Sequence, residues 1–566
     1  MRIPTTLYRT SPTIFMCELS QCPECEGRLR PLAYVNGRKT IQTMQAVLSI
    51  AYRPKACDEN GCRAAERPLP SAAWQQLAPK YGTYGYDVIA QIGWERQMGR
   101  ATFELIQARL SQRVQISESG VRYLYHQKYL PLLACHERQH LPALRALAQT
   151  SGLLLSLDGL MPEGGEAQLW VIRELQTGWT LRSGWLSSQD ETSLTEFLRP
   201  LAALDLPVKA TMSDKQRSLV LAIEAVFPTA RHGFCQVHYL QNAATPVAEA
   251  DEQMKIALRQ NVRAQVRDLI QQKTPEKPTE MTITGLIPSP LPAPSATRVT
   301  PAAAVAQAQE QIVQDLLHRV RYLLSLKGRP PFRLAGQEMF ARLQEVVRCL
   351  DQLLRHQPEP RLLALRAGLR QALTAVRPTY RELGVAADWL ARLAAVLDPA
   401  GQPVARTGAQ VRAEWEACLA DLDQARQASP RLRALGAHIA KVSQAYAPGL
   451  FHTYDIPGLP RTNNGRESEF REVKRRLVST TGQRGAVKRL LLREGAWELI
   501  PHPASLAETI SAISQVDGQA LREEERRVHR HRACFRLHTR SAKQSQAQLK
   551  RLVQRWKTLP AKSVPK

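Results

Sequence analysis

The feature that most constrains this chain is the order of its strand-like and helix-like segments between residues 153 and 237. Apolar runs and turn residues predict three strands, a helix, a strand, a helix and a fifth strand, at residues 153–157, 168–175, 179–186, 191–204, 208–212, 216–226 and 233–237. Gln176-Thr177-Gly178 separates the second and third runs, as expected of a hairpin. The order predicts a mixed five-stranded sheet with helices.

Two aspartates stand at the ends of two of these strands. Asp158 ends the first run and Asp214 follows the fourth. The element order is that of an RNase H-like α/β core, which puts the two carboxylates on neighbouring strands. Phosphodiester cleavage and strand transfer need charge neutralisation on the attacking and leaving oxygens, and two Mg²⁺ or Mn²⁺ ions held by carboxylates supply it. We therefore expect Asp158 and Asp214 to bind metal.

The core pattern then stops and resumes much later. Lys273–Pro301 holds seven prolines with Ser and Thr, which predicts a linker or exposed loop. Residues 304–445 are rich in Leu, Ala, Arg and Gln at helical spacing, which predicts an all-α insertion. The pattern returns after Pro460, with a helix predicted to run through Leu477.

Glu467 on this last helix has two interpretations. With Asn464 as the cap, Glu467 three residues later would complete a capping box. It also lies one turn ahead of Phe470, at the edge of the apolar stripe, whereas Glu469 lies about 200° around the helix from Glu467. The orientation favours Glu467 as a third metal ligand. The basic run that follows suits a DNA backbone and consists of Lys474, Arg475 and Arg476.

Four of the ten cysteines cluster near the start of the chain. They form two close pairs, Cys22-x-x-Cys25 and Cys57-x4-Cys62, which is enough to complete a tetrahedral zinc shell. The residues Val35-Asn36-Gly37 between the pairs predict a turn, as expected of a zinc ribbon. Unrelated free thiols remain the alternative, and the nearby Cys17 can replace one ligand.

Residues 84–129 have a helical pattern. Two short helices precede a third that Ser117 can cap, which is typical of a helix-turn-helix whose last helix enters the major groove. Three-helix packing is also common without DNA. The groove-facing candidates on the third helix are Arg122, Tyr123, Gln127 and Lys128.

The charge of the chain favours a polyanionic partner. Lys and Arg number 77 against 51 Asp and Glu, a formal net charge of +26, and such cations release counterions when they neutralise phosphates. Residues 526–566 contain thirteen Lys or Arg and no acid, so they are either a solvated tail or a DNA-backbone clamp. No apolar run predicts a membrane span. The sparse cysteines fit a reducing compartment, and we expect a cytoplasmic, nucleoid-associated protein.

Three strings of the sequence carry a family resemblance: LLLSLDGL, ATMSDKQRSLVLAIEAVFPTARHGFCQVHYLQN and RTNNGRESEFREVKRRL. They resemble the signature blocks of DDE transposases, most closely the bacterial insertion-sequence transposases related to Mutator elements. The resemblance covers residues 150–245 and 455–500. It implies Asp158, Asp214 and Glu467 as the catalytic triad, separated by 214 − 158 = 56 and 467 − 214 = 253 residues.

The resemblance also assigns other residues. Cys235-x-x-His238 matches the C-x-x-H element that follows the fifth strand in that family. Two soft ligands are too few for a zinc shell without further partners, so we expect both side chains to pack in the core and position the site rather than to contact metal or DNA. Trp389 and Trp415 in the insertion are either stacking platforms for a displaced base or core residues.

The resemblance predicts a DNA transposase that needs two Mg²⁺ or Mn²⁺ ions per site and one structural Zn²⁺. It would act on double-stranded DNA as a homodimer or larger oligomer. A domesticated DNA-binding protein and an RNase H-like nuclease without joining activity are the alternatives. The predicted parts are a zinc-ribbon-like domain, a helix-turn-helix domain, the first part of the core, the insertion, the last part of the core and a basic tail, at residues 1–75, 80–145, 150–245, 246–455, 456–500 and 501–566.

Overall fold

The computed structural model of the chain has a mixed α/β fold that divides into two compact units. One unit contains Met1–His232 and Asn463–Lys566, and the other contains Gly233–Thr462. The insertion was expected at 246–455, but the second unit starts earlier because a long helix begins directly after the last strand of the sheet. The structure describes residues 11–160, 168–271, 301–329, 333–398, 406–482, 497, 499–533 and 539–558. The predicted Pro-rich linker at 273–301 lies almost wholly outside them.

The front of the first unit consists of short strands and two short helices. A three-stranded sheet has the order β1-β4-β3, and a separate antiparallel pair joins β2 to β5. The bounds are β1 Thr13–Met16, β2 Leu29–Pro31, β3 Asn36–Gln42, β4 Val47–Arg53, β5 Lys55–Cys57, α1 Arg63–Glu66 and α2 Ala72–Leu77.

The turn expected at Val35-Asn36-Gly37 lies elsewhere. Asn36 and Gly37 begin β3 at an irregularity in its pairing with β4, and the chain reverses later, where the Thr43 amide donates to Ala46 O at 2.9 Å. Gly37 has φ +62°, and a Cβ there would lie 2.7 Å from Trp74 Cζ2. Glycine is thus needed for close packing rather than for the hairpin turn.

Five helices follow, and the first four share one apolar core. Their bounds are α3 Tyr86–Gln97, α4 Phe103–Leu110, α5 Glu118–Leu124, α6 Leu130–Arg138 and α7 Leu141–Ser151. Ser117 caps α5 as predicted, since its side chain accepts a hydrogen bond from the Gly120 amide at 3.2 Å. A single π-helical turn, Tyr125–Tyr129, joins α5 to α6, so the predicted third helix continues into the next. The π turn shifts the face that later residues present.

The five-stranded sheet contains the strands expected from the sequence. Its bounds are β6 Leu153–Leu160, β7 Gln168–Glu174, β8 Thr180–Leu186, β9 Val208–Ser213 and β10 Arg231–Phe234, with α8 Glu191–Ala202 after β8 and α9 Arg217–Val226 after β9. The strand order is β10-β9-β6-β7-β8. β6, β7 and β8 are antiparallel neighbours, and β9 runs parallel to β6.

The two faces of the sheet bury different partners. Leu153, Leu155 and Leu157 of β6 share a core with residues of α7, α8 and α9. Leu160 belongs to a separate cluster with Phe470 and other residues of a later helix. Because side chains alternate along a strand, Ser156 and Asp158 lie on this second face with Leu160.

The described secondary structure of the second unit is helical, apart from Gly233 and Phe234 at the end of β10. Its helices are α10 Gln236–Gln271, α11 Pro301–Leu323, α12 Ala335–His356, α13 Pro360–Leu397, α14 Gly408–Ala425, α15 Pro430–Leu450 and α16 His452–Asp455. Trp389 is 5% exposed and Trp415 is 3% exposed, and the Trp415 indole donates to the Tyr239 hydroxyl at 3.1 Å. Both tryptophans are therefore core residues of this unit, with no exposed face on which a base can stack.

The chain returns to the first unit, where its described residues form four more helices. They are α17 Asn464–Thr481, α18 Leu506–Ser514, α19 Gly518–Ala533 and α20 Ala542–Thr558. Residues 501–566 were predicted as a basic tail, but α18 and α19 are folded: Ile513, Leu521 and other apolar residues pack into the core of α3–α6. Among these four helices, α20 alone has no buried residue. No helix in the described part of the chain is long and apolar enough to cross a membrane.

Candidate functional site

The four front cysteines converge as predicted. All four Sγ atoms lie within 4.8 Å of one another, with Cys22 at 3.7 Å from Cys62 and Cys25 at 3.4 Å from Cys57. Thiolates at about 2.3 Å from one tetrahedral zinc ion are about 3.8 Å apart. The cluster is therefore compatible with a zinc site, whereas Cys17 is buried and is not part of it.

The backbone around the cluster supports thiolate ligands. A Cβ on Gly27 would lie 3.3 Å from Cys25 Sγ and 3.5 Å from Cys57 Sγ, so glycine leaves room for the sulphurs. The Glu59 amide donates to Cys57 Sγ at 3.4 Å. Hydrogen bonding from the Glu24 amide is the main effect that lowers the pKa of Cys22 to about 7. Backbone hydrogen bonds also act to lower the pKa values of Cys25, Cys57 and Cys62, but burial and neighbouring cysteines outweigh them and raise these three pKa values. Deprotonated sulphur is the form that binds metal.

The two aspartates are neighbours across the sheet. β6 and β9 are parallel, with Ser156 beside Met212. Extending this register by two residues puts Asp158 level with Asp214, the residue that directly follows β9, on the same face of the sheet. Both residues are half-buried. Their roles as metal ligands stay a prediction.

A buried asparagine joins the start of α17 to the same strand. Asn463 Oδ1 accepts from Ser156 Oγ at 2.6 Å, and Asn463 Nδ2 donates to Leu157 O at 3.3 Å. These bonds hold the first turn of α17 on the face that carries Asp158. Glu467 lies in that turn, although its side chain is outside the part that the structure describes.

The capping-box interpretation of Glu467 does not fit the start of the helix. Asn463, not Asn464, is the N-cap residue, and its side chain makes no cap hydrogen bond. The residue three positions after this cap is Arg466. Glu467 is therefore one residue beyond the capping-box position.

Glu469 has a structural partner that sequence reasoning missed. Its carboxylate accepts from Arg173 at 2.6 Å, and Arg173 is only 4% exposed. Arg173 also donates to Thr180 Oγ1 at 3.1 Å and to Leu499 O. The sequence signal for this pair was an arginine near the end of the mostly apolar β7 run, because a buried cation requires an acceptor.

The basic residues of α17 divide into two groups. Lys474 and Arg475 are exposed, as a DNA-backbone contact requires. Arg476 is 5% exposed and donates to Gln97 Oε1 at 3.0 Å. We therefore leave Arg476 out of the DNA-contacting set, because it follows Val473 by three residues on the buried side of the helix.

The predicted recognition helix has one exposed end and one covered end. Tyr123 is 54% exposed, and Arg122 is exposed beside Glu118 at 2.6 Å. Gln127 and Lys128 are half-buried, and Lys128 Nζ is 2.5 Å from Glu525 of α19. Lys128 is thus already paired within the chain.

α19 adds a basic surface beside this helix, and its part from Arg526 onward belongs to the segment for which the sequence predicts a solvated tail or a DNA-backbone clamp. The two elements enclose an open cavity of about 960 Å³, lined by Tyr123, Gln127, Lys128, Arg522, Glu523, Glu525, Arg526, Arg527, His529 and Arg530. Arg522, Arg526 and Arg530 recur every four residues and share one helix face. That spacing was the signal in the sequence. The surface suits a phosphate backbone next to the recognition helix.

Cys235 directly follows β10, and His238 belongs to α10. Cys235 is fully buried, which agrees with the predicted core role. His238 is half-buried in the first turn of α10, where the neighbouring Gln236 amide donates to Arg461 O at 3.0 Å.

Comparison with protein-family models and with curated proteins found no match for this chain.

Proposed function

We propose that the chain is a DNA transposase that cleaves the ends of a mobile element and joins them to target DNA. The observation that carries the proposal is the parallel pairing of β6 with β9, whose register, extended by two residues past Ser156 and Met212, puts Asp158 beside Asp214 on one face. The strand order β10-β9-β6-β7-β8, with three antiparallel strands and a parallel fourth, supports the RNase H-like fold in which such a pair is expected.

The proposed ligands fit hard divalent cations. Asp158 and Asp214 are half-buried carboxylates, and Mg²⁺ or Mn²⁺ binds such oxygens together with water and substrate phosphates. We assign Glu467 as the third ligand. Two bound ions would supply charge neutralisation for the attacking and leaving oxygens. The contribution of the chain itself is to hold the carboxylates on one face, through the sheet register and the Asn463 contacts with β6.

The other surfaces support DNA as the substrate. The front cysteine cluster would hold one structural Zn²⁺. Tyr123 and Arg122 would reach base edges, whereas α19 and the exposed Lys474 and Arg475 would contact phosphates. Joining requires two element ends in one complex, so we propose that the chain works as a homodimer or larger oligomer on double-stranded DNA. We place this activity in the cytoplasm, at the nucleoid.

The test removes one carboxylate charge at a time. Asp158→Asn, Asp214→Asn and Glu467→Gln should each abolish Mg²⁺-dependent cleavage and strand transfer of candidate element ends, with DNA binding retained, because the ligands act as a unit. Glu472→Gln is the matched control on α17. Glu472 forms an exposed ion pair with Arg100, and its loss should leave activity near that of the parent.

Each result has a distinct meaning. Cleavage without joining by the parent protein would identify a nuclease. DNA binding without either reaction would identify a DNA-binding protein. Carboxylate variants that still cut and join DNA like the parent would refute the assigned site.

A further inference from the structure

A second cluster of metal-binding side chains lies outside the site described above. His136 is in the last turn of α6, and His140 is the residue before α7. Their Nε2 atoms are 3.3 Å apart, and the two rings meet edge to face at 82°. Two imidazole nitrogens at 2.0–2.1 Å from one tetrahedral zinc ion are about 3.3–3.4 Å apart. The observed separation is that of two ligands sharing one ion.

The ring of His140 is held in place by its neighbour. It stacks on Trp179 with the ring planes 3° from parallel and the centroids 4.5 Å apart. Trp179 immediately precedes β8, so the sheet fixes the orientation of a ring that belongs to the helical region. Fixed rings favour metal binding, because less side-chain freedom is lost when the ion arrives.

The pair opens onto a cavity rather than onto packed protein. A cavity of about 430 Å³ adjoins both histidines, and its walls include His502 and Glu508. Among the described residues, no third His, Cys, Asp or Glu joins the pair as a close-packed group. Because the cavity adjoins both histidines, water or a small anionic ligand within it can complete the coordination of an ion held by the pair.

The local sequence is His136-Glu137-Arg138-Gln139-His140, the H-E-x-x-H order that zinc peptidases carry on one helix. Here α6 ends at Arg138, so the two histidines are not on one continuous helix. A Glu137 oxygen accepts from the Thr180 amide at 2.6 Å and is therefore engaged by the sheet. These differences argue for metal binding without peptide hydrolysis.

We infer that His136 and His140 form a second, exchangeable site for a divalent transition metal such as Zn²⁺ or Ni²⁺, with open positions in the adjoining cavity. Imidazole suits these ions, whereas Mg²⁺ prefers oxygen ligands. The site should be weaker than the cysteine cluster, which offers four thiolates instead of two imidazoles. It does not depend on the proposed transposase activity.

The test is a calorimetric titration of the full chain with Ni²⁺. The protein is first loaded with one equivalent of Zn²⁺ to fill the cysteine cluster, and excess Mg²⁺ occupies carboxylate sites. We expect one further Ni²⁺ to bind per chain. His136→Gln or His140→Gln should weaken this binding by about 100-fold or more, since even an outer partner of a ligand contributes about 10–100-fold. His356→Gln, at an exposed histidine of α12, should leave it unchanged.

Two results would overturn the inference. One is the absence of a second equivalent of bound Ni²⁺ in the parent protein. The other is unchanged binding in both glutamine variants, which would mean that the rings only share an N–H···N hydrogen bond. Glutamine keeps a hydrogen-bonding side chain at each position, and thermal unfolding of the variants verifies that they fold. Neither measurement uses DNA cleavage, so its result is independent of the proposed catalytic site.

Discussion

Arg173 is a buried cation on β7 whose charge is satisfied from three directions. Burial lowers its pKa, and the nearby Glu469 and Glu137 carboxylates oppose that effect. Glu469 itself is 45% exposed. The pair therefore joins a buried guanidinium to a partly solvated carboxylate, and the structural role of Glu469 is separate from metal binding.

We predict that Glu469→Gln lowers the free energy of unfolding by about 1–3 kcal/mol, because it removes a charged acceptor from a buried donor. Glu472→Gln, which breaks an exposed pair, should change it by no more than about 0.5 kcal/mol. Denaturant titration of both variants provides the comparison. Equal stabilities would mean that Arg173 finds sufficient acceptors in Thr180 and Leu499. Since Glu469 stabilises the fold, reduced activity of its variant would not identify a metal ligand.

His502 predicts how stability depends on pH. Its Nδ1 is 3.1 Å from the Tyr129 hydroxyl, and burial, followed by the Arg476 charge, lowers the pKa of His502 to about 3. An unfolded histidine titrates near pH 6.5. Between these values the unfolded chain binds a proton that the folded chain does not, so the folded state loses stability as pH falls from about 6.5 towards 3.

His502→Gln should flatten this dependence, because glutamine does not titrate. The measurement is the free energy of unfolding of parent and variant at about pH 7.5 and about pH 5. The parent should lose more stability than the variant between the two. An equal loss in both proteins would assign the acid sensitivity to other groups.

Among the elements, the strands were predictable because their signals are local. The first run reads as continuous Leu followed by Asp158, and turn residues bound the others, so type and order followed from the sequence. For the candidate site, the sequence predicts that Asp158 and Asp214 are neighbours, because that placement depends only on strand order. The roles of Glu469 and Arg476 could not, because their partners Arg173 and Gln97 are about 300 and 380 residues away in sequence.

The two packed helices α18 and α19 were missed for a related reason. α19 is mostly charged, and its few buried apolar positions, such as Leu521 and Val528, do not form a prominent stripe. Their partners are in α6 and the π turn, far earlier in the chain. A basic composition alone therefore resembled a tail, although Glu524 is fully buried and receives a bond from the Trp497 indole at 2.5 Å.

We expect the cysteine-bearing front module, made of β2 and β5, to depend on metal because its strands are short. β2 and β5 pair over three residues each, and the small core around them includes Cys22 and Cys57 themselves. Such a core cannot supply much stability without a metal. We predict that Cys57→Ser prevents metal binding by the cluster and unfolds this module, whereas Cys349→Ser, at an exposed cysteine outside it, does not.

Cobalt substitution of the full chain measures this effect. Thiolate-bound Co²⁺ has an intense charge-transfer absorption that imidazole-bound Co²⁺ lacks, so the cysteine cluster is observed separately from any histidine site. The band should be present in the parent protein and in Cys349→Ser, and it should be lost in Cys57→Ser. A parent protein without the band that is nevertheless folded at its front end would contradict the zinc site.

At the scale of the whole molecule, the excess of basic residues is divided between packed and exposed helices. Part of the basic excess lies on α19, which is packed into the first unit, and part lies on α20, which has no buried residue. Deletion of Arg526–Lys566 would cut through α19 and remove the buried Val528. A truncation that tests charge alone must therefore begin after α19.

We predict that deletion of residues 539–566 weakens binding to all DNA sequences and preserves the discrimination between them. The segment holds eight Lys or Arg and no acid, so the formal charge changes from +26 to 26 − 8 = +18. Each lost phosphate contact should reduce the slope of log K against log salt by about 0.9. The measurement is a salt titration of binding to an element end and to unrelated DNA.

The matched variant replaces the five α20 cations with glutamine and should have the same direction of effect with the helix intact. A deletion that erased only the preference for the element end would instead place sequence recognition in this segment, and α5 would lose its proposed role.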